Sequence, residues 1–238
     1  MILLLHGIGG RAALWAPTVA ALAPRRVIAM DMPGYDGTGV ALASFAKLAD
    51  AAMALLDAEG IEAADLLGHS LGGMIALEIA LRHPSRVRRL VIVASSPAFG
   101  SRDPAFRESF LAARQRPLDE GMGMAGVAAA LVPAMLGPAA SPEAAPAAIA
   151  AMASVDERAY RATLEMLTGF DRRADLPRVT QPTLLIAGEA DATAPPRGMS
   201  RMGDAMPDAR LVVIPGAGHL LPLEAPDAFH AALADFLA

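Results

Sequence analysis

The chain has 238 residues, 54% of them hydrophobic and 19% charged, with a formal net charge of −5 and no cysteine. That length and apolar content suit one large domain with a full core and argue against disorder. The acidic balance leaves no basic footprint for nucleic acid, disulfides and thiolate metal sites are excluded, and no apolar run reaches the length of a membrane span. Met1-Ile2-Leu3-Leu4-Leu5 lacks the basic flank and cleavage site of an export signal, so a cytoplasmic protein is expected.

Residues 2–5 read as a buried strand that delivers the chain into His6-Gly7-Ile8-Gly9-Gly10. Glycines directly after a strand let the backbone come close to another group. An oxyanion hole needs such an approach, because its donors are backbone N–H groups. Ile8 is the candidate donor here. Trp15 is expected to pack at the head of a helix near Pro17–Ala23, in the core or in a pocket wall. Arg25 to Met30 reads as the next strand, and it ends in the turn-rich loop Asp31-Met32-Pro33-Gly34-Tyr35-Asp36-Gly37. Asp31 is expected to bond loop amides rather than to act in chemistry. Ser44 is a plausible N-cap for a helix through about Glu59, with Gly60 ending it.

Next comes Ala64-Asp65-Leu66-Leu67-Gly68-His69-Ser70-Leu71-Gly72-Gly73, then the helical run Met74 to Leu81. The pattern G-x-S-x-G is weak alone. Between a short apolar strand and a helix it predicts a sharp turn that exposes a serine hydroxyl. Ser70 is therefore the candidate nucleophile. Leu71 supplies a second oxyanion donor at a helix start, where the dipole favours negative charge. Pro84 should stop the helix, and Leu90 to Ala94 is another apolar strand. From Ser95 to about Arg173 strand signals vanish. Helices are expected near 104–116, 119–136, 142–153 and 156–170, separated by Pro117, Pro138 and Pro142. This predicts a helical cap over 98–173 inserted into a core of 1–97 and 174–238.

The core pattern returns at Gln181 to Ala187, a strand closing on Gly188-Glu189-Ala190-Asp191. Ala209 to Ile214 is the last strand, followed by Gly216-Ala217-Gly218-His219 and a final helix over about 225–237. Alternating apolar strands and helices imply a mostly parallel sheet covered on both faces. Right-handed crossovers gather the strand C-ends on one edge. Ser70, Asp191 and His219 each lie just past such an end, in the chain order that accompanies this turn. His219 would take the serine proton, and Asp191 would orient the imidazole, with Glu189 two residues away as a competing acid. His6 and His69 suit packing, His83 ends a helix, and His230 is expected outside the last helix. Gly7, Arg11, Trp15, Met122, Met135 and Leu220 are the candidate substrate-binding residues. No His/Asp/Glu cluster has metal spacing and no glycine pattern resembles a nucleotide loop, so neither metal nor cofactor is expected.

These motifs together resemble the α/β-hydrolase superfamily, in particular its small esterases and lactonases with a helical cap. They are spread over nearly all of the chain outside 98–173. The stretch from Tyr160 through Asp171-Arg172-Arg173-Ala174-Asp175-Leu176 to Ala194-Pro195-Pro196 is similar to 3-oxoadipate enol-lactonases. The resemblance implies a serine hydrolase of carboxylic esters or lactones working through an acyl-enzyme. A substrate carboxylate would ask for a pocket cation, with Arg11, Arg107, Arg114 and Arg161 as candidates. C–C hydrolases, perhydrolases and cofactor-free oxygenases share the scaffold, and a non-catalytic ligand-binding member stays open. Relatives usually carry two further strands ahead of the one that feeds His6. A sheet of about six parallel strands is therefore expected, with strand 26–30 an exposed edge that a loop or a second subunit covers, in a monomer or homodimer.

Overall fold

The computed structural model describes residues 1–35, 44–99 and 103–238, so that the Asp36-Gly37 end of the turn-rich loop lies outside it. The chain starts with β1 (Ile2–Leu5), α1 (Ala16–Ala21), β2 (Val27–Met30), α2 (Phe45–Ala58), β3 (Ala64–His69), α3 (Leu71–Arg82) and β4 (Val87–Val93). Among the described residues four helices follow without an intervening strand: α4 (Pro104–Asp119), α5 (Gly123–Met135), α6 (Ala144–Ala153) and α7 (Glu157–Leu167). Then come β5 (Thr183–Gly188), α8 (Pro196–Asp204), β6 (Ala209–Ile214), α9 (Leu221–Glu224) and α10 (Pro226–Leu237).

The strands form one sheet of order β2-β1-β3-β4-β5-β6, and every pairing is parallel. Period-two alternation splits each strand between two cores. Leu3, Leu5, Leu66, Leu90, Ile92 and Leu185 face the layer built by α2, α3 and α8. Ile2, Leu4, Leu67, Val91, Leu184 and Ile186 face the other, with Leu22 and the α10 residues Phe229, Leu233 and Leu237. Burial on both faces is why these strands read as unbroken apolar runs. Ser44 caps α2 by accepting from the Lys47 N–H at 3.2 Å, and Gly60 beyond its end has φ 67°. β2 lies at one edge and hydrogen-bonds to β1 alone among the described strands.

Two expectations change. Pro117 does not separate helices; it lies inside the last turn of α4. Pro117 removes one i→i−4 donor, but the helix runs on only to Asp119, and the chain turns at Gly121 and Gly123, with φ of 75° and 60°. His230 is not on an outer face: burial lowers its pKa, and its Nε2 lies 3.1 Å from the Thr18 hydroxyl of α1.

The inserted helices are pinned at both ends. Ala98 and Asp171 pair across the base of the insertion. Beside them Arg172 reaches into the sheet layer and forms a two-pronged pair with Glu78 of α3, at 2.7 and 3.1 Å. Glu78 is a carboxylate in the middle of a buried helix, with 2% of its surface exposed. Without Arg172 it would be stranded in an apolar layer. We expect Arg172→Ala to lower stability on the order of 2 kcal/mol, less than the ~3–5 kcal/mol of a fully enclosed pair because solvent reaches the guanidinium. Urea unfolding measures it, and an unchanged midpoint would mean that something other than Arg172 solvates Glu78.

Candidate active site

The turn between β3 and α3 is built from backbones in close approach. A Cβ on Gly68 would collide with the Gly72 carbonyl, and one on Gly72 with the Leu5 carbonyl of β1. Between them Ser70 takes φ 52° and ψ −114°, a conformation that L side chains rarely adopt. Both its backbone groups are held by the end of β4: the Ser70 N–H donates to the Val93 carbonyl at 2.8 Å, and the Ser95 hydroxyl donates to the Ser70 carbonyl at 2.7 Å.

Raised in this way, the Ser70 hydroxyl lies 3.0 Å from Nε2 of His219, and Nδ1 of His219 lies 2.8 Å from Oδ2 of Asp191. Asp191 is buried after β5, and its other oxygen accepts from the Thr193 and Ala194 N–H groups at 2.7 and 2.9 Å. Burial alone would push this carboxyl up. The hydrogen bond and charge of His219, with the two amides, outweigh it and hold Asp191 below its ordinary pKa. Glu189, the competing acid, accepts instead from the Gly216 N–H at 2.9 Å. A carboxylate–imidazole–hydroxyl chain of this geometry can move a proton from the serine to the imidazole.

Two cavities open on Ser70 and His219. The smaller, about 60 Å³, is lined by Gly7, Ile8, Trp15, Met135, Met152 and Leu220 among others. The larger, about 440 Å³, runs under α4 past Met74, Phe99, Phe106, Phe110, Arg114 and Leu167. Among the described residues the N–H groups of Ile8 and Leu71 are not taken by another group of the protein. Both residues line the larger cavity beside Ser70.

The profile of the alpha/beta hydrolase fold matches residues 1–226. The chain belongs to the α/β-hydrolase family. It is similar to a protein of Variovorax paradoxus named as the carbamate hydrolase RutD, at 35% identity over 100% of this chain and 91% of that one. It is equally similar to a pimeloyl-[acyl-carrier protein] methyl ester esterase of Pectobacterium atrosepticum, at 35% identity over 96% of this chain and 90% of the relative. The enol-lactonase of Burkholderia xenovorans superposes with a TM-score of 0.88 at 26% identity, covering 99% of this chain and 90% of that one.

In this α/β-hydrolase, two of the expected substrate-binding residues lie elsewhere. Arg11 is drawn away by Asp31, which takes its Nε and Nη2 at 3.1 and 3.3 Å and also accepts from the Ala12 N–H at 2.8 Å. Met122 lies at the corner before α5, 49% exposed and outside both cavities, because the glycine turn carries it to the outer surface beside Gly126. Gly7, Trp15, Met135 and Leu220 all line the smaller cavity.

Sequence reasoning passed over Glu224. This buried carboxylate accepts from three backbone N–H groups: Gly137 at 2.7 Å, Gly218 at 2.8 Å and Leu220 at 2.7 Å. It thus clasps both neighbours of His219 to the α5–α6 connection, while the His219 N–H donates to the Met135 carbonyl at 2.7 Å. The available signal was an acid alone among Leu221, Pro222, Leu223, Ala225 and Pro226. Glu224→Gln places an amide donor against backbone donors. We expect a loss of about 1–3 kcal/mol in denaturant unfolding, and a neutral result would show that one oxygen suffices for the clasp.

His6 and His69 flank the site as packing groups. His6 accepts from the Met32 N–H at 3.0 Å and donates to the Gly7 carbonyl at 2.8 Å. His69 contacts the His219 carbonyl through Nε2 at 2.7 Å. Burial lowers the pKa of His6 to about 4 and that of His69, enclosed but facing the small cavity, to about 3. An unfolded chain takes up these protons near the ordinary 6.5, whereas the folded chain refuses the His6 proton until about 4. Stability therefore falls as pH drops through that window, by up to about 1.4 kcal/mol per pH unit for each histidine. Urea midpoints between pH 7 and 4 should show a shallower acid slope for His6→Gln than for wild type. Parallel slopes would mean that His6 accepts its proton while folded.

Proposed function

We propose that this protein is a serine hydrolase of carboxylic esters, lactones included. The observation that carries the reading is the hydrogen-bonded chain from the Ser70 hydroxyl through His219 to Asp191, at the junction of two cavities. In this reading His219 Nε2 takes the Ser70 proton as Oγ attacks the acyl carbonyl. The N–H groups of Ile8 and Leu71 receive the developing oxyanion, at a strand end and a helix start where no donor must be withdrawn from another partner. Asp191 keeps the imidazole in the tautomer that accepts at Nε2 and stabilises its charged form. His219 then hands the proton to the leaving alkoxide, which in a lactone stays attached to the acyl chain. Water repeats the sequence to release Ser70.

The relatives support acyl chemistry at this site: an esterase at 35% identity, and an enol-lactonase superposing at a TM-score of 0.88. A second reading, carbamate hydrolysis, is supported by the 35% identity to the protein named for it. It uses the same attack with a carbamate carbonyl as electrophile. The test is turnover of p-nitrophenyl esters from C2 to C12, 3-oxoadipate enol-lactone and a simple aryl carbamate, with fluorophosphonate labelling of the serine. Ser70→Ala should lower kcat by about 10⁴-fold or more and abolish labelling. Labelling without turnover of any acyl substrate would favour a ligand-binding protein, and turnover that survives Ser70→Ala would refute the nucleophile.

A further inference from the structure

Among the described residues the larger cavity is lined by one permanently charged side chain, and that charge is unanswered. Arg114 of α4 shares its wall with Ser70 and His219. The arginines around it are paired: Arg107 with Glu165 at 3.0 Å, Arg116 with Glu120 at 3.5 Å, and Arg161 with Asp119 at 2.8 Å. No carboxylate among the described residues forms an ion pair with Arg114. Its guanidinium lies 3.7 Å from the centre of the Phe110 ring, and one N–H reaches the Phe110 carbonyl at a long 3.4 Å. A guanidinium carries five N–H donors in a planar fork, so most of its capacity is uncommitted. It is also half withdrawn from water, and burial pulls its pKa down.

A cation kept from solvent without a counter-ion is costly, and a carboxylate matches its fork best. The same cavity is also lined by Phe99, Phe106 and Leu167, an apolar wall suited to methylene groups. The smaller cavity, about 60 Å³, has room only for a small group. We propose that Arg114 anchors a carboxylate at the far end of the substrate arm that fills the larger cavity, so that the preferred substrates are esters or lactones carrying an anion across an apolar spacer. This assignment rests on the reading of Ser70 as nucleophile.

Two matched pairs of substrates test it: monomethyl adipate against methyl hexanoate, with the anion on the acyl arm, and 6-acetoxyhexanoate against hexyl acetate, with the anion on the alkoxy arm. In one pair wild type should favour the anionic member in kcat/KM by about tenfold or more, chiefly through KM. Arg114→Met should bring that ratio to near one, and Arg114→Lys should retain part of it. Arg116→Met, on the exposed side of the same helix, should leave the ratio as in wild type. A measurement independent of turnover is calorimetric binding of adipate to Ser70→Ala, which Arg114→Met should weaken by about tenfold. A ratio of one in both pairs, with adipate binding indifferent to Arg114, overturns the anchor while leaving the hydrolase reading intact. Adipate binding through Arg114 with no ester turned over sinks the hydrolase reading and keeps the anchor.

Discussion

At Gly72 the first turn of α3 passes against the Leu5 carbonyl with no space for a Cβ, and Gly68 meets the Gly72 carbonyl in the same way. This three-way approach of β1, β3 and α3 is the constraint on which the site depends. It pushes Ser70 into a left-handed conformation above the sheet edge and starts a helix directly behind its hydroxyl. The strain is held by groups at the end of the neighbouring strand, where the Val93 carbonyl and the Ser95 hydroxyl fix both sides of the Ser70 peptide. Parallel register does the rest, because it brings the loops after β1, β3, β5 and β6 to one rim.

Buried carboxylates do the joining around that rim. Asp191 fixes the imidazole, Glu224 fixes the loop that carries it, and Glu78 fixes the base of the inserted helices through Arg172. Each is satisfied by two or more donors, as a charge removed from water requires. Glu224 gives the arrangement a further property. Its Oε2 accepts from both Gly137 of the α5–α6 connection and Gly218 of the His219 loop, and its Oε1 from Leu220, so a shift of the inserted helices would be felt at the imidazole. The walls of both cavities come partly from those helices, which couples the shape of the pocket to the placement of His219.

The elements of the core were legible because both faces of the sheet are buried. Apolar runs at Ile2–Leu5 and Thr183–Gly188 could be little else, and glycine, serine and proline marked the boundaries of α2 and α3. Pro117 misled because one proline removes a single i→i−4 bond without ending the helix at once, and the glycines after it carried the true break. Met122 misled because methionine composition says that a region is apolar without saying which side faces the cavity. Arg11 misled because a cation beside a reactive loop has no assigned partner until Asp31, twenty positions on, is folded against it.

The sequence by itself determined the fold family, the strained serine turn and the short list of residues past strand ends. Those follow from local backbone requirements and from the two periodicities of helix and strand. Only the tertiary structure decided which of Asp191 and Glu189 reaches His219, that Glu224 clasps the histidine loop, and which arginine among several lines the cavity without an ion-pair partner among the described residues. These are choices between chemically similar side chains. They turn on a few ångströms between segments far apart in the chain, and no local pattern records such distances.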